Sequence, residues 1–332
     1  MKAAIITQNN RDAQRVFAES IRAELARRYE LYDTVLCKKN LENHLPFARK
    51  VEFLFATWGM EHFSQEEIRR YFPNLKCVFY AAGSVQGFAR EFLDCGVRVF
   101  SAWRANAIPV AEYTYAQILL AAKGFYRAER RARWNFYGAA RYAQQCGGNY
   151  GNKIGLIGVG SIGSLVAEKL RANDVEVLYY DPFLPAARAE ELGIYPAGLE
   201  EIFSDCDVIS NHLANKEELT GVLSAALFDR MKPYATFINT GRGRQVDEKG
   251  LVRAMKKVKT RTALLDVTCR EPLPPLGRIA RCKNIIVTPH IAGSIGREVE
   301  RMAWFMLEEA VRVQEGQPPQ HEVLPEMLAT MA

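Results

Sequence analysis

Apolar and polar positions along this chain follow two rhythms that succeed each other from end to end. Short apolar runs, as in buried strands, are separated by stretches with an apolar residue every third or fourth position, as in amphipathic helices. Strands are expected near Ala3–Thr7, Leu31–Leu36, Val51–Ala56, Cys77–Tyr80 and Val97–Phe100, with helices between them near Ala13–Arg28, Ser64–Tyr71 and Gly87–Asp94. Ser64 followed by Glu67 is a capping box, and Pro73 closes that helix. A long helix is expected from Pro109, a good first-turn residue, to about Lys123. A stretch rich in Arg and aromatics, Arg127 to Gln145, then leads to Gly147-Gly148. A second strand series follows near Lys153–Ile157, Val175–Tyr180, Asp207–Asn211, Ala235–Asn239, Thr262–Leu265 and Asn284–Val287, and Glu298–Arg312 is a final helix. Such alternation predicts an α/β protein with two doubly wound parallel-sheet domains.

The second series opens with Gly155-Leu156-Ile157-Gly158-Val159-Gly160-Ser161-Ile162-Gly163, an apolar strand ending in G-x-G-x-x-G with a helix pattern directly behind it. Each glycine has its own physical task in that setting. Gly158 allows the tight turn, Gly160 lets a pyrophosphate approach the backbone, and Gly163 lets helix pack closely on strand. The N–H groups at Ser161 and Ile162, with the positive end of the helix dipole, form the expected anion site. Eighteen residues after Gly163, the next apolar run ends in Asp181. Its carboxylate can accept both hydroxyls of an adenosine ribose and would repel a 2′-phosphate, so the expected cofactor is NAD rather than NADP. The first series has no such fingerprint and is not expected to hold the dinucleotide.

Composition narrows the class without changing this picture. A chain of 332 residues, 48% hydrophobic and 25% charged, suits two globular domains. The net charge of +6 is modest, and its densest piece, Arg127 to Arg133, reads as a solvated helix face rather than a nucleic-acid site. No apolar stretch suits a membrane span, and Met1 to Thr7 reads as a strand without signal-peptide architecture. Seven scattered cysteines with no C-x-x-C point to reduced thiols in a cytoplasmic protein, with neither disulfide scaffold nor metal site.

Four further segments sit where a doubly wound fold keeps its functional residues, just past strand ends. In Ile238-Asn239-Thr240-Gly241-Arg242-Gly243 a strand empties into a glycine-flanked arginine, a bidentate fork suited to a carboxylate. Leu264 to Pro272 carries Asp266 and Glu271, and Val287 to Gly293 puts His290 at the end of the last strand. Histidine can give and take a proton near neutrality, and a nearby glutamate would hold its tautomer and favour the imidazolium. Tyr80-Ala81-Ala82-Gly83-Ser84-Val85, in the first series, is a strand end whose backbone N–H groups could hold an anion.

Together these residues resemble the NAD-dependent branch of the D-specific 2-hydroxyacid dehydrogenase family, over nearly the whole chain. The resemblance is strongest at Ala105-Asn106-Ala107, Val110-Ala111-Glu112, Lys153 to Gly163, Asn239 to Gly243, Asp266 to Pro272 and Thr288 to Gly293. It implies a flavodoxin-like substrate domain, residues 1–104 and 296–332, around a Rossmann NAD-binding domain, residues 105–295, with a dimerisation arm near 125–150. It implies a catalytic set of Arg242, Glu271 and His290, with Arg242 and His290 meeting substrate together with Ala82, Gly83 and Ser84. It further implies that Asp266 touches the nicotinamide carboxamide, and that His212-Leu213, Thr240-Gly241 and Gly293 line the cofactor. The implied activity is hydride transfer between NAD and a small 2-keto or D-2-hydroxy acid, in a homodimer that binds neither nucleic acid nor membrane.

Departures fall in the substrate half. Relatives commonly carry a hydrophobic residue and then an Asp after the loop glycine, where this chain has Ser84, Val85, Gln86, Gly87 and Phe88; Ala214 also replaces a proline. Small, uncharged Ser84 and Val85 lead us to expect an uncharged pocket for a compact acid such as glyoxylate or hydroxypyruvate. One rival is an NAD-sensing, corepressor-like binding module, which shares the triad but carries a long disordered tail where Pro318 to Ala332 is short. Another is formate or phosphite oxidation, disfavoured because Glu271 stands where formate enzymes pair a Gln with the histidine.

Overall fold

A computed structural model describes residues 1–329. Its strands are β1 (Lys2–Ile6), β2 (Glu30–Leu31), β3 (Phe53–Ala56), β4 (Cys77–Tyr80), β5 (Arg98–Ser101), β6 (Tyr150–Ile157), β7 (Asp174–Tyr180), β8 (Tyr195–Pro196), β9 (Val208–Asn211), β10 (Thr236–Asn239), β11 (Thr262–Leu265), β12 (Ile285–Val287) and β13 (Glu322–Val323). The chain divides into two compact units, Met1–Asn106 with Ser294–Ala332, and Ala107–Gly293.

The first unit holds a sheet of order β13-β5-β4-β3-β1-β2, parallel except for β13, which runs antiparallel to β5. Side chains alternate between its two faces: Ala4, Ile6, Leu54 and Ala56 enter one apolar cluster, Ala3, Ile5, Phe53 and Phe55 the other. With both faces covered, β3 is apolar at every position and β1 at every position after Lys2, as buried parallel strands are. The second unit holds a wholly parallel sheet of order β12-β11-β10-β9-β6-β7-β8. Its order reverses between β6 and β9, the switch point at which a doubly wound sheet opens a crevice.

Several elements differ from the sequence expectation. The helix expected over Ala13–Arg28 is two, Asn10–Val16 and Glu19–Arg28, because the chain leaves helical geometry at Phe17 and buries that ring completely. Pro109 lies inside the helix Trp103–Ala122 rather than at its start. The Arg127–Gln145 stretch is also two helices, Phe125–Ala132 and Phe136–Ala143, the second restarted by Asn135, whose side chain accepts the Gly138 N–H. Strands β8 and β13 have two residues each, too few for a period to register.

Candidate active site

The turn after β6 is built as the glycines require. Gly158 has φ +87°, and a Cβ there would sit 2.8 Å from the His212 carbonyl. A Cβ on Gly163 would overlap the Gly158 carbonyl oxygen. Gly160 is different: a Cβ would meet nothing within 4 Å, so the protein itself does not demand a glycine there. Gly160 caps the helix Ser161–Leu170 without a side chain, and no acidic residue occupies the first turn. Bare N–H groups and an unopposed dipole end therefore face the open side of Gly160, which fits a pyrophosphate. Asp181, at the end of β7, accepts the Val159 N–H at 2.8 Å and the Phe183 N–H at 2.9 Å, which pins its carboxylate beside this turn.

His212 follows β9, and its N–H donates to the Ile157 carbonyl at 2.7 Å. Its ring pairs with Ser210 Oγ at 2.9 Å, while Nδ1 is buried without a partner. Burial pushes its pKa down to about 4, so the ring is neutral at physiological pH.

Arg242 follows β10. Its Nη1 donates to the Gly241 carbonyl at 2.9 Å. Burial lowers the pKa of the guanidinium, the Glu271 carboxylate opposes that, and Arg244 adds to it. An arginine remains charged under such a shift and keeps its fork for a carboxylate. The flanking glycines serve the protein rather than a ligand. A Cβ on Gly241 would press on Asn211 Nδ2 at 2.9 Å and Gln245 Oε1 at 3.0 Å, and one on Gly243 would overlap the Thr268 backbone. The loop bearing Glu271 thus packs against the loop bearing Arg242.

Glu271 accepts the Thr268 N–H at 3.1 Å through Oε1 and lies 2.8 Å from His290 Nδ1 through Oε2. His290 itself has φ +55°, a strained value for a side-chain-bearing residue. Asp266 holds it there: the carboxylate accepts the Thr288 hydroxyl at 2.6 Å and the Ile291 and Ala292 N–H groups at 2.9 Å each. Cys269, between the two carboxylates, is no rival nucleophile, since burial and Glu248 push its thiol up to about 11.

In the first unit, the loop after β4 carries Ala82, Gly83 and Ser84. Ser101 Oγ lies 3.0 Å from the Ala82 carbonyl oxygen and 2.6 Å from that of Gly83. Because a trans peptide sets N–H opposite C=O, this turns the Gly83 and Ser84 N–H groups away from Ser101. Val85 corrects one expectation. It is fully buried in the apolar core of this unit, so of the two small residues only Ser84 is exposed. Gln86 is exposed too, with Nε2 donating to the Leu328 carbonyl at 2.7 Å.

Sequence reasoning missed the polar cluster of Asn211, Asn239 and Gln245, all fully buried at the ends of β9 and β10 and just past Arg242. An asparagine closing each of two apolar strands was the available signal. It also missed Thr288, which links Asp266 to Tyr113 Oη at 3.0 Å.

Comparison with known proteins gives one family. Residues 115–292 match the model of the D-isomer specific 2-hydroxyacid dehydrogenase NAD binding domain. The chain is 31% identical over 264 residues to D-3-phosphoglycerate dehydrogenase of Archaeoglobus fulgidus, covering 77% of this chain and 49% of that protein. It is 31% identical over 256 residues to glyoxylate reductase of Aeropyrum pernix, covering 74% of this chain and 76% of that one. The chain thus spans about half the length of the first relative and three quarters of the second. A phosphoglycerate oxidoreductase from Rhizobium etli shares the fold at a TM-score of 0.81 and 24% identity, over 98% of this chain and 99% of that one. Neither of the rival readings draws support from these names.

Proposed function

The chain belongs to the D-isomer specific 2-hydroxyacid dehydrogenase family, and on that footing we propose that it interconverts a small 2-keto acid and the matching D-2-hydroxy acid. The carrying observation is the His290–Glu271 pair at 2.8 Å within electrostatic reach of a half-buried Arg242.

Residues 115–292 are the NAD-binding domain of the family, and the uncapped helix start, the open side of Gly160 and the pinned Asp181 fit that cofactor. NADH supplies the hydride when bound. Ser161, Ile162 and Gly163 would hold its pyrophosphate, Asp181 its ribose, and the backbone at His212-Leu213, Thr240-Gly241 and Gly293 its remaining length. Asp266 keeps little spare capacity, so its larger part is to brace the loop bearing His290.

In this reading Arg242 takes the substrate carboxylate with its fork. His290, with Nδ1 engaged by Glu271, presents Nε2 and gives a proton to the carbonyl oxygen on reduction, taking it back on oxidation. Glu271, 2.8 Å from Nδ1, fixes the ring's orientation. The Ala82–Ser84 loop has a substrate-binding part too, supported by its outward N–H groups. Exposed, uncharged Ser84 supports a compact acid without a charged tail. The first unit is then the substrate domain.

A homodimer is part of the proposal, carried by the arm near 125–150. Trp134 there is 92% exposed, and Phe136 and Tyr137 are exposed beside it, an apolar surface of the kind that partners cover. All seven cysteines are free, in keeping with a cytoplasmic location. Among the described residues no helix is long and apolar enough to cross a membrane.

The test is NADH oxidation against glyoxylate, hydroxypyruvate, pyruvate, phenylpyruvate and branched 2-keto acids. His290→Ala should lower kcat/KM by roughly 10²–10⁴-fold while NADH binds as before. Glu271→Gln should also lower kcat/KM while NADH binds as before, because the ring loses the carboxylate that fixes its orientation at Nδ1. No turnover of any acid in the panel, or a fully active His290→Ala enzyme, would sink the reading.

A further inference from the structure

We propose that Gln245 is a positioning residue that ties the backbone lining the cofactor to the arginine that anchors the substrate. The inference rests on the functional reading given above to Arg242 and to the His212-Leu213 backbone.

A glutamine in Gly243-Arg244-Gln245-Val246 reads as a loop residue, yet its side chain is fully buried. Burying an amide is tolerable only when its polar atoms find partners. Here all four bonds are made. Oε1 accepts the Arg242 N–H at 3.2 Å and Asn211 Nδ2 at 2.7 Å. Nε2 donates to the Leu213 carbonyl at 3.1 Å and the Ala214 carbonyl at 2.7 Å. Exchanging Oε1 and Nε2 would set donors against donors and acceptors against acceptors at every contact, so the orientation is unambiguous. A saturated amide has nothing left for a ligand. Gln245 acts through its neighbours.

Those neighbours belong to two loops with two jobs. Leu213 and Ala214 follow β9, behind the glycine turn, while Arg242 follows β10. Asn211 Nδ2 also donates to Asn239 Oδ1 at 2.9 Å, and Asn239 Nδ2 donates to the Arg242 carbonyl at 3.2 Å. Arg242 is therefore gripped at its N–H by Gln245 and at its C=O by Asn239. Gly241 lacks a side chain because this cluster occupies the space. A cofactor settling on the Leu213 backbone would pull on Nε2 while Oε1 holds Arg242, so cofactor binding orders the arginine before substrate arrives. That is a coupling between two ligands through one side chain.

Two measurements test it, one on the native enzyme. Hydrogen exchange of the Arg242 amide should slow by about tenfold or more when NADH alone is added, along with that of Leu213. Protection of Leu213 with no change at Arg242 would overturn the inference. In the second, Gln245→Glu keeps size and both acceptor contacts but turns two carboxylate lone pairs toward two carbonyls. Oxamate, a 2-keto acid mimic, should bind the native protein more tightly with NADH than without, and Gln245→Glu should reduce that ratio about tenfold. KM for the keto acid should rise more than kcat falls. An unchanged ratio in a folded variant would also overturn the proposal. A native enzyme that binds NADH but neither oxamate nor any keto acid would instead sink the parent reading.

Discussion

After β1 the chain enters its helix through Asn9, whose Oδ1 accepts the N–H groups of Arg11 and Asp12, and Asp12 adds a negative charge to the first turn. After β6 it enters through Gly160, which has no side chain, into a first turn without an acid. The two turns stand at the start of similar parallel sheets, and only their finishing differs. In the first, the protein satisfies its own helix end with a cap and a countercharge. In the second, it leaves the same groups bare. An anion site is here made less by adding groups than by withholding the usual ones.

That contrast can be attacked directly. The largest effect is expected from Gly160→Asp, which gives the second turn the finish of the first. The backbone, φ −75° and ψ −151°, admits any residue, and a Cβ meets no obstacle. NADH affinity should fall by at least ~100-fold, on the order of 3 kcal/mol, with Tm equal or higher. NADH fluorescence titration beside a melting curve reads both, and native affinity in the variant would break the comparison.

A second contrast lies one strand over. Buried Thr57 follows β3 and gives its hydroxyl to the Ala81 carbonyl at 3.0 Å, whereas buried His212 follows β9. His212 carries a protonation penalty, because its folded pKa of about 4 lies below the ordinary 6.5. Above pH 6.5 neither folded nor unfolded chain holds that proton, and the penalty is absent. Between 6.5 and 4 the unfolded chain gains it first, so stability drains by up to about 3 kcal/mol and levels off below 4. His212→Thr should remove that part of the acid limb of a denaturant-midpoint profile. A profile with the same slope between pH 6.5 and 4 would mean that His212 is not its source.

The smallest effect is expected from Asn9→Ala. Loss of a cap should cost about 1 kcal/mol of stability by denaturant titration, with NADH affinity untouched. A change in NADH binding would mean that the first turn is not the closed counterpart it looks.

Much of this was legible because it depends on local rules. The apolar runs located the long strands, and G-x-G-x-x-G with Asp181 located the open turn. Ser64 and Glu67 do form their capping box. What escaped depends on tertiary context. Nothing local marks Phe17 as the point where a helix must break so that its ring can be buried. Val85 looked like a pocket residue because it follows Ser84, yet the loop after β4 folds its side chain into the apolar core, which no local pattern announces. Asn211 lies 28 residues before Asn239 and 34 before Gln245, and only the pairing of β9 with β10 makes a cluster of the three.

The closing segment of the chain has a consequence for synthesis. Val299, Met302, Ala303, Met306, Leu307 and Ala310 pack into the same apolar cluster as Ile5, Phe55 and Phe79, and β13 completes the edge at β5. A ribosome delivers these strands well before the helix that covers them. The inserted unit, Ala107–Gly293, is continuous and can close as soon as it emerges. The half that starts first therefore finishes second, leaving Phe17, Phe53, Phe55 and Phe79 exposed on the nascent protein until that helix arrives. A chaperone that reads apolar strands has its clearest target there.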